Sequence, residues 1–351
     1  MVDQLPSIFD QYKPDINSAL KSGLHYKCCS LPSSSNENLN NILSYGMGWT
    51  DKFGKPININ GGKLLRPTLC LFAAEATGGS VDQAIKTAIA LEYIHNFSLF
   101  HDDIQDQDEI RHHRPTLWCV WGEPKAIVAG NVLRSIADIT LSELLNLNIK
   151  DADAVTMNKI MSTGYLEMIE GQFLDLSYES RRNITTQEYL DMISRKTGSL
   201  IRCSMELGAH IGSQDKRVIA AFRGSGKALG YLFQITDDVL GIWGDAEKTG
   251  KPVGQDIARK KNSLPVVHAL SKADKNQSKI LETIYSKNEL KQNDVDAVLN
   301  IMDSIGTKNY IKSLTYKYSD AALESFHSAR VEEGFLNKFE ELVQFLVTRD
   351  H

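Results

Sequence analysis

Two groups of aspartates have the types and spacing needed to hold divalent metal ions. The first is Asp102, Asp103 and Asp106, in the stretch HDDIQD. On a helix, Asp106 lies one turn from both of the others, so the three carboxylates can share one side. Hard oxygen ligands at this density suit Mg²⁺, which keeps several waters and bridges to substrate phosphates. Taken alone, the motif leaves a solvated acidic helix end open as the alternative.

The second group is Asp237 and Asp238, which lie in the apolar stretch GYLFQITDDVLGIWGD. Burying unpaired charge is costly, so an acidic pair in an apolar helix is seldom plain surface. If the two acidic helices face each other across a bundle, they form a cage for two or three divalent ions. The predicted metal is Mg²⁺, with Mn²⁺ as an alternative, and a diphosphate is the expected occupant.

Basic residues lie close to these acidic groups in the chain, where a polyanion would need them. Lys63 and Arg66 are three apart at a predicted helix start, where the helix dipole also favours an anion. The others are Arg111 and Arg114 after the first acidic group, Arg195, Lys196 and the hydroxyl of Thr197 before the second, and Lys251, Lys260 and Lys261 after it. Singly, each base could be a solvated surface residue. Together they favour phosphate binding, which arginine achieves bidentately and lysine as a point charge.

Helices must position these side chains, because helical hydrophobic periodicity continues through most of the chain. The predicted helices are Thr68–Thr77, Val81–Gln105, Ala126–Leu145, Asp153–Leu176, Thr186–Gly212, Arg217–Ile242, Asn293–Met302, Ile311–Ala329 and Glu333–Val347. Period-two alternation of strand length is nearly absent. The Ser/Asn-rich stretch Ser30–Asn41 is predicted to be a loop. The fold class is therefore all-α, a bundle of ten or more helices.

We expect a single large domain, since no repeat or linker divides the chain. Residues 1–60 are predicted to hold an N-terminal helix and the flexible Ser/Asn-rich segment. Residues 61–270 are predicted to form the catalytic bundle core, and residues 271–351 to add helices that complete the same domain. A chain of 351 residues is ample to bury such a core.

The composition excludes several function classes. Acidic residues outnumber basic ones by 44 to 39, giving a net charge of -5, whereas general nucleic-acid binding needs a basic surface. No apolar run approaches the roughly 20 residues of a membrane helix, and the first residues lack a secretory-signal pattern. Five scattered cysteines without a CxxC pair indicate neither a disulfide framework nor a zinc site. We therefore expect a reduced, cytoplasmic location.

From about Gly61 to Leu270 the sequence resembles the trans-prenyltransferases, the isoprenyl (polyprenyl) diphosphate synthase family. Six motifs carry the resemblance in the family's order: GGKLLRP, HNFSLFHDDIQD, EGQFLDL, RKTGSLI, LFQITDDVLGIWGD and GKPVGQDIARKKNSLP. The chain is most similar to short-chain members that make geranylgeranyl or farnesyl diphosphate. The resemblance implies a class I isoprenoid synthase bundle with a central diphosphate and metal cavity, in a homodimer.

The resemblance also implies a role for each matching residue. The first and second aspartate groups correspond to the two motifs that bind two or three Mg²⁺ ions around an allylic diphosphate. The bases expected at that diphosphate are Arg111, Lys196 and Lys251, with Lys261 as a further substrate-binding residue. The site for isopentenyl diphosphate is matched by Lys63, Arg66 and His95. The polar groups around the reacting carbons are matched by Thr197, Gln172 and Gln234. Catalytic roles are expected for Lys196, Thr197, Gln234 and Arg111.

The implied reaction is ionisation, condensation and elimination. The metal and the bases stabilise the charge that builds on the departing diphosphate, and the double bond of isopentenyl diphosphate attacks the allylic cation. A proton is then lost to the released diphosphate. Phe97 lies five positions before the first acidic motif, where a bulky residue limits product length in this family. We expect a twenty-carbon product, with fifteen carbons as the near alternative, and core packing is the other role open to Phe97.

Four positions depart from the family's pattern. Arg111 is followed by His112, where the family usually has a second arginine that helps the isopentenyl site. Trp118 stands where histidine is common, and Asn131 where many members have aspartate. Gly241 replaces a third acid of the second motif. These departures bear on the isopentenyl and metal sites, but none removes a residue of the first acidic group.

Three other functions remain open from the sequence. A class I terpene cyclase would share the bundle, the metal and the ionisation, but would leave Lys63, Arg66 and His95 without a joint purpose. A di-iron carboxylate bundle is suggested by two Glu-x-x-His spacings, beginning at Glu92 and Glu324, but it leaves the aspartate groups unexplained. A non-catalytic regulatory subunit would keep the fold, yet such subunits typically lose the acidic motifs.

Overall fold

Helices make up nearly all of the regular structure in the computed structural model, which describes residues 5–27, 33–57, 62–146, 151–179, 181–244 and 253–348. In chain order they are α1 (Ser7–Lys27), α2 (Ser33–Gly46), α3 (Leu65–Ala76), α4 (Val81–Gln105), α5 (Leu117–Trp121), α6 (Glu123–Ser142), α7 (Asp151–Glu179), α8 (Thr186–Lys196), α9 (Gly198–Gly212), α10 (Lys216–Trp243), α11 (Gln255–Ala258), α12 (Leu264–Lys272), α13 (Lys275–Tyr285), α14 (Gln292–Ser304), α15 (Thr307–His327) and α16 (Glu333–Thr348). Two short strands, β1 (Ile110–Arg111) and β2 (Arg114–Pro115), pair antiparallel between α4 and α5. The predicted all-α class is confirmed.

The helix with the strongest predicted pattern, Val81–Gln105, has the observed bounds of α4. It begins at a capping box, in which Ser80 and Gln83 satisfy each other's backbone N–H groups. The stretch Thr186–Gly212, predicted as one helix, is two. The chain turns at Thr197, between α8 and α9. The next residue, Gly198, lies so close to Gly230 that a Cβ on Gly230 would be 2.5 Å from the Cα of Gly198. Hydrophobic periodicity cannot reveal such a break.

The prediction of a loop over Ser30–Asn41 is wrong from Ser33 onward, because Ser33–Gly46 is α2. Residues 28–32 lie outside the described residues. Serine and asparagine lower helix propensity, but Ile42 and Leu43, near the end of this helix, are buried. Burial of an apolar face outweighs a weak propensity, as it commonly does in tertiary structure.

Contacts between Cα atoms divide the chain into two units. The first unit contains the described residues of Leu5–Tyr165 and Cys203–Phe222. Its core lies where α4 packs on α3 and α6, and it includes Leu69, Leu91 and Leu133. Here α9 meets α3 through Gly208, where a Cβ would stand 2.3 Å from the carbonyl oxygen of Cys70.

The second unit contains the described residues of Leu166–Arg202 and Arg223–His351. One part of its core joins α8, α10, α12 and α15, with Tyr189, Ile235 and Leu264 buried together. Another joins the end of α10 to α11–α14. In the described residues, no helix combines the length and apolar character needed to cross a membrane. The domain boundaries drawn at residues 60 and 270 stay a prediction.

Candidate functional site

The first acidic group lies at the carboxyl end of α4. Asp102 and Asp103 are in its last turn and Asp106 caps it, so all three sit where the helix dipole disfavours negative charge. Asp103 is buried and accepts a 2.6 Å hydrogen bond from Nε of Arg111 on β1. Burial raises the pKa of Asp103, and the Arg111 guanidinium opposes that rise. Asp106 is exposed and Asp102 half-buried, so these two are the carboxylates presented to a ligand.

His101 fixes this end of α4 against α6. Its Nε2 lies 3.1 Å from the carbonyl oxygen of Ile127, and because a carbonyl only accepts, that nitrogen carries the proton. Gly130 makes the approach possible, since a Cβ there would stand 2.4 Å from Nε2. The imidazole also meets the ring of Phe97 edge to face, with the centroids 4.8 Å apart. Phe97, the predicted determinant of product length, is thereby buried one turn before the acidic group.

One of the residues predicted to bind isopentenyl diphosphate lines a cavity in the first unit. His95 lines it, together with Gly62 and Leu64, the neighbours of Lys63 in the chain. Lys63 itself is exposed just before α3, and Arg66 lies in the first turn of α3. The Nε of Arg66 is buried and makes no hydrogen bond within the described residues. A buried guanidinium N–H of this kind requires an acceptor, which an anionic ligand could supply.

A carboxylate that the sequence analysis considered only as part of a di-iron motif lies in the same cavity. Glu92 is buried, and its Oε1 accepts a 3.0 Å hydrogen bond from Nδ2 of Asn96. Burial raises the pKa of Glu92 to about 7, against the opposing effects of Arg66 and Asn96. Burial likewise lowers the pKa of Arg66 to about 10, while Glu92 opposes it. The only sequence signal was the Glu92-x-x-His95 spacing, which places both side chains on one face of α4.

His95 is the neutral member of this group. Burial lowers its pKa well below the ordinary value, and the positive charges of Arg66, Arg111 and His112 lower it further. A neutral imidazole can donate one hydrogen bond but adds no charge. These electrostatic effects also show that the predicted Arg66, His95 and Arg111 share one neighbourhood in the first unit.

In the second unit, Asp238 is at the centre of a buried hydrogen-bond network. Its Oδ1 accepts from Nε2 of Gln234 at 3.0 Å. Its Oδ2 accepts from the hydroxyl of Tyr189 at 2.6 Å and from the backbone N–H of Leu264 at 3.0 Å. The hydroxyl of Thr197 then donates to Oε1 of Gln234 at 2.7 Å. Of the predicted catalytic residues, Gln234 therefore bonds directly to the second acidic group, and Thr197 is connected to that group through Gln234.

The two members of that group differ in their surroundings. Asp238 is completely buried, and burial raises its pKa to about 6, whereas Lys261, Tyr189, Leu264 and Gln234 all favour its charged form. Asp237 is exposed. Asp237 is therefore the carboxylate that a metal ion can reach in this arrangement, while the oxygens of Asp238 are bonded to the protein.

Further carboxylates surround the predicted substrate-binding Lys261. Desolvation opposes the charge of its ammonium, but Asp256, Asp238, Asp237 and Asp175 together raise the pKa of Lys261. Asp256, on α11, comes close to Gly241 on α10, where a Cβ would stand 2.2 Å from its Oδ2. The position that lacks the family's third acid is thus filled by a carboxylate from another helix. Asp175, on α7, also pairs with the ammonium of Lys196.

Lys196 and Gln172 lie where α7 meets the end of α8. A Cβ on Gly171 would stand 2.1 Å from the backbone nitrogen of Lys196, so only glycine permits this contact. Gln172, the next residue, is buried. The predicted Lys251 lies outside the described residues. The structure therefore brings together one set of predicted residues in each unit.

The sequence reasoning missed Tyr189, Asp175 and Asp256. The last two lie inside quoted motifs, EGQFLDL and GKPVGQDIARKKNSLP, so the motifs carried a signal that went unused. Tyr189 occupies an ordinary apolar position of α8, and nothing in its spacing distinguishes it from core.

The donor chemistry of both acidic groups fits Mg²⁺. Within the described ranges, no three His, Cys, Asp or Glu side chains already form a metal-binding cluster. Mg²⁺ seldom uses such all-protein cages, because it keeps several waters and is bound through one or two carboxylates plus substrate phosphates. The exposed carboxylates of Asp106 and Asp237 and the half-buried carboxylate of Asp102 meet that requirement.

Comparison with known proteins places these features in a family context. The sequence model of the polyprenyl synthetase family matches residues 49–302. A (2E,6E)-farnesyl diphosphate synthase from Mycobacterium tuberculosis is 41% identical over 225 residues, which are 64% of this chain and 61% of that protein. The chain therefore matches less than two thirds of that relative's length. A geranylgeranyl diphosphate synthase from Saccharolobus solfataricus is 38% identical over 293 residues, covering 82% of this chain and 87% of the relative.

A solved structure is similar over almost its whole length. Geranylgeranyl pyrophosphate synthetase from Pyrococcus horikoshii superposes with a TM-score of 0.86 at 30% identity, covering 97% of this chain and 98% of that one. The likeness thus extends beyond residues 49–302 to helices on either side.

The network around Asp238 makes a prediction about stability. Tyr189→Phe keeps the buried ring but removes the hydroxyl that donates to Asp238, leaving a buried carboxylate oxygen with one donor fewer. We expect the free energy of unfolding to fall by about 1–3 kcal/mol, measured by urea denaturation. The control is Tyr316→Phe, at a tyrosine that is 49% exposed, where the change should stay within about 0.5 kcal/mol. Equal stability of the two variants would contradict the network's importance.

Proposed function

Because the chain belongs to the polyprenyl synthetase family, we propose that it is a short-chain prenyltransferase that condenses isopentenyl diphosphate with an allylic diphosphate. The observation that carries this proposal is the family match over residues 49–302, which includes both acidic groups. The predicted all-α isoprenoid synthase fold is confirmed by the similarity to the Pyrococcus horikoshii structure. Geranylgeranyl diphosphate is the proposed product, and farnesyl diphosphate the near alternative.

We assign the binding of isopentenyl diphosphate to Lys63, Arg66 and His95. Support comes from the buried Nε of Arg66, which makes no hydrogen bond within the described residues, and from a cavity that His95 lines. Glu92 would help to keep Arg66 charged, because its electrostatic effect favours the charged guanidinium. The homoallylic substrate would thus meet a charged arginine and a neutral imidazole.

The allylic diphosphate is assigned to Arg111, Lys196 and Lys261, with Lys251 retained from the family resemblance. The proposed metal ligands are Asp102, Asp103, Asp106, Asp237 and Asp238. Mg²⁺ bound there would neutralise charge on the departing diphosphate. Asp103 and Asp238 keep hydrogen-bond donors of the protein, which would orient their carboxylates, while the other three are accessible. Thr197, Gln234 and Gln172 would line the reacting carbons.

The competing function is a class I terpene cyclase, and nothing in the comparisons favours it. A cyclase needs a single diphosphate substrate, so it would give Arg66 and His95 no shared ligand. The two functions are distinguished by their substrates. A synthase incorporates isopentenyl diphosphate into a longer chain, whereas a cyclase converts geranylgeranyl diphosphate alone into a hydrocarbon.

The decisive assay supplies radiolabelled isopentenyl diphosphate with dimethylallyl, geranyl or farnesyl diphosphate and sizes the products. We expect label in a twenty-carbon diphosphate, with turnover lost on chelation and restored by Mg²⁺. Asp102→Ala should lower kcat by at least about 10²-fold, because a lost metal contact removes several kcal/mol of transition-state stabilisation. Asp82→Ala, at the opposite end of α4 and exposed, is the control. A cyclised hydrocarbon made without isopentenyl diphosphate, or full activity of Asp102→Ala, would contradict the proposal.

Product length tests the proposed role of Phe97. Phe97→Ala removes the ring that packs on His101, and we expect products at least one five-carbon unit longer than those of the wild type. The matched control is Phe100→Ala on the same helix, whose ring lies against Gly46. It should leave the chain-length distribution unchanged. Chromatography of the dephosphorylated products measures both, and an unchanged distribution for Phe97→Ala would leave Phe97 as core packing.

A homodimer is also proposed, through an apolar stripe on α7. Leu166, Ile169 and Phe173 are spaced three and four apart and are all exposed, Phe173 by 69%. Phe173→Asp would place a carboxylate in the interface, where burial is costly, and should shift the wild-type dimer to monomer in light scattering after size exclusion. Phe53→Asp is the control, because Phe53 is 74% exposed outside this stripe. A monomeric wild type, or a Phe173→Asp dimer, would contradict the interface.

A further inference from the structure

A cavity of about 280 Å³ lies in the second unit, between α10, α15 and the end of α16. Its described lining comes mainly from one face of each of two long helices, along which residues recur three and four apart. The lining residues are Thr236, Val239 and Trp243 of α10, Lys308, Ile311, Lys312, Thr315 and Tyr316 of α15, and Val347 of α16. None of them is assigned above to substrate or metal. Ligand pockets in proteins begin at roughly 300 Å³, so this cavity has the size of a small binding site.

The wall of this cavity is largely apolar. Ile311 is buried, and Val239 and Val347 are half-buried. The hydroxyl of Thr236 donates to a carbonyl oxygen of α10 at 2.7 Å, and the hydroxyl of Thr315 donates to a carbonyl oxygen of α15 at 3.1 Å. Both hydroxyl protons are thus used within their own helices. The wall therefore suits the hydrocarbon part of a ligand.

Two lysines bring positive charge to this apolar cavity. The Nζ of Lys308 lies 5.8 Å from the centroid of the Trp243 ring, and the Nζ of Lys312 lies 5.9 Å from the centroid of the Tyr316 ring. Both distances are within the roughly 6 Å over which an aromatic face attracts a cation. Because all four side chains line the cavity, the rings favour positions of the two ammonium groups next to its apolar wall.

The charges of these two lysines are not balanced by carboxylates. Within the described ranges, neither ammonium forms an ion pair, whereas Lys287 of the same unit pairs with Asp294. An exposed lysine without an acidic partner is ordinary when it stands alone. Lys308 and Lys312, however, are one turn apart on α15, where like charges destabilise a helix. An anion bound to both ammonium groups would remove that repulsion.

We infer that this cavity binds an amphipathic anion, in which a hydrocarbon chain ends in a phosphate or diphosphate. The chain would lie against Val239, Ile311 and Val347, and the ammonium groups of Lys308 and Lys312 would hold the head. A phosphate monoester carries a charge of roughly −1.5 to −2 near neutral pH, which matches two lysines better than the single charge of a carboxylate does. The inference goes beyond the proposed function, because this ligand requires neither the acidic groups nor a metal.

The test is a calorimetric titration of the full chain with dodecyl phosphate, kept below its micelle concentration. The buffer contains a chelator, so that no divalent metal supports binding at the proposed diphosphate site. We expect one molecule to bind per chain. The double variant Lys308→Ala/Lys312→Ala should bind it at least about 10-fold more weakly, because both charge contacts are lost. Inorganic phosphate, which lacks the chain, and dodecanoate, which carries a single charge, should also bind at least about 10-fold more weakly.

The matched control is Lys275→Ala/Lys279→Ala on α13, which removes two exposed lysines of the same spacing outside the cavity. This variant should bind dodecyl phosphate as the wild type does, and so should Lys196→Ala at the proposed allylic site. Equal losses in the two double variants would reduce the effect to net charge and overturn the inference. If Lys196→Ala loses as much affinity as the cavity variant, the ligand occupies the proposed substrate site. That result overturns the inference and leaves the proposed function intact.

Occupancy of the cavity is tested separately from its charge. Val347→Trp places an indole in the cavity and should weaken the binding of dodecyl phosphate at least about 10-fold, although the charge of the protein is unchanged. The control is Thr348→Trp, at the neighbouring exposed position that is outside the lining. Wild-type affinity in Val347→Trp, or no binding of dodecyl phosphate by the wild type, would overturn the inference.

Two sources of this ligand chemistry are distinguished by a second titration, with farnesyl phosphate. Farnesyl phosphate has the same head as dodecyl phosphate and a chain of the same length, but the chain is branched and unsaturated. Tighter binding of farnesyl phosphate would identify isoprenoid phosphates as the ligands, and tighter binding of dodecyl phosphate would identify straight-chain phosphate esters. Either order supports the site if the binding is lost in Lys308→Ala/Lys312→Ala. Retention of both ligands by that variant would overturn the inference.

Discussion

Carboxylates placed where a helical protein disfavours them are the constraint on which the arrangement of predicted site residues in each unit depends. Asp103 is buried at the carboxyl end of α4 and Asp238 is buried within α10, and in both cases burial acts against the charged form. Each is stabilised by its own local partners, Arg111 in one unit and Tyr189, Gln234 and Leu264 in the other. Among the residues that hold these two aspartates, Arg111 and Gln234 are also residues that we assign to substrate. Arg111 and Gln234 would therefore serve both the electrostatic stability of their own unit and the proposed binding of substrate.

The same constraint explains a division of labour within each acidic group. In the first, Asp103 is bonded to the protein while Asp102 and Asp106 are more accessible; in the second, Asp238 is bonded and Asp237 is exposed. In each group, hydrogen bonds to the protein fix one carboxylate on its helix, while at least one neighbouring carboxylate remains accessible. This arrangement suits Mg²⁺, which needs few protein ligands but well-placed ones.

The sequence was sufficient to predict helices with strong hydrophobic periodicity and site residues inside recognised motifs. It was not sufficient for features of the structure that depend on tertiary contacts. The bounds of α4 could be predicted because a capping box begins it and apolar residues recur along it. The break at Thr197 and the helicity of Ser33–Asn41 depend on packing against distant residues, which local composition does not encode. Tyr189 was missed for the same reason, since its hydroxyl acquires a role only when α8 packs against α10.

Departures from the family's motifs also require the structure for their interpretation. From sequence alone, Gly241 indicates that the second motif lacks its third acid. In the structure, the absence of a side chain at Gly241 leaves room for the carboxylate of Asp256 on α11. Any side chain at that position would collide with Asp256, so restoring an acid there would displace the carboxylate that most strongly favours the charged form of Lys261. Negative charge around this lysine is thus supplied by the fold rather than by one helical motif. Counting acids in the second motif would therefore find one too few, although the structure shows that Asp256, fifteen positions further along the chain, places its carboxylate beside Gly241.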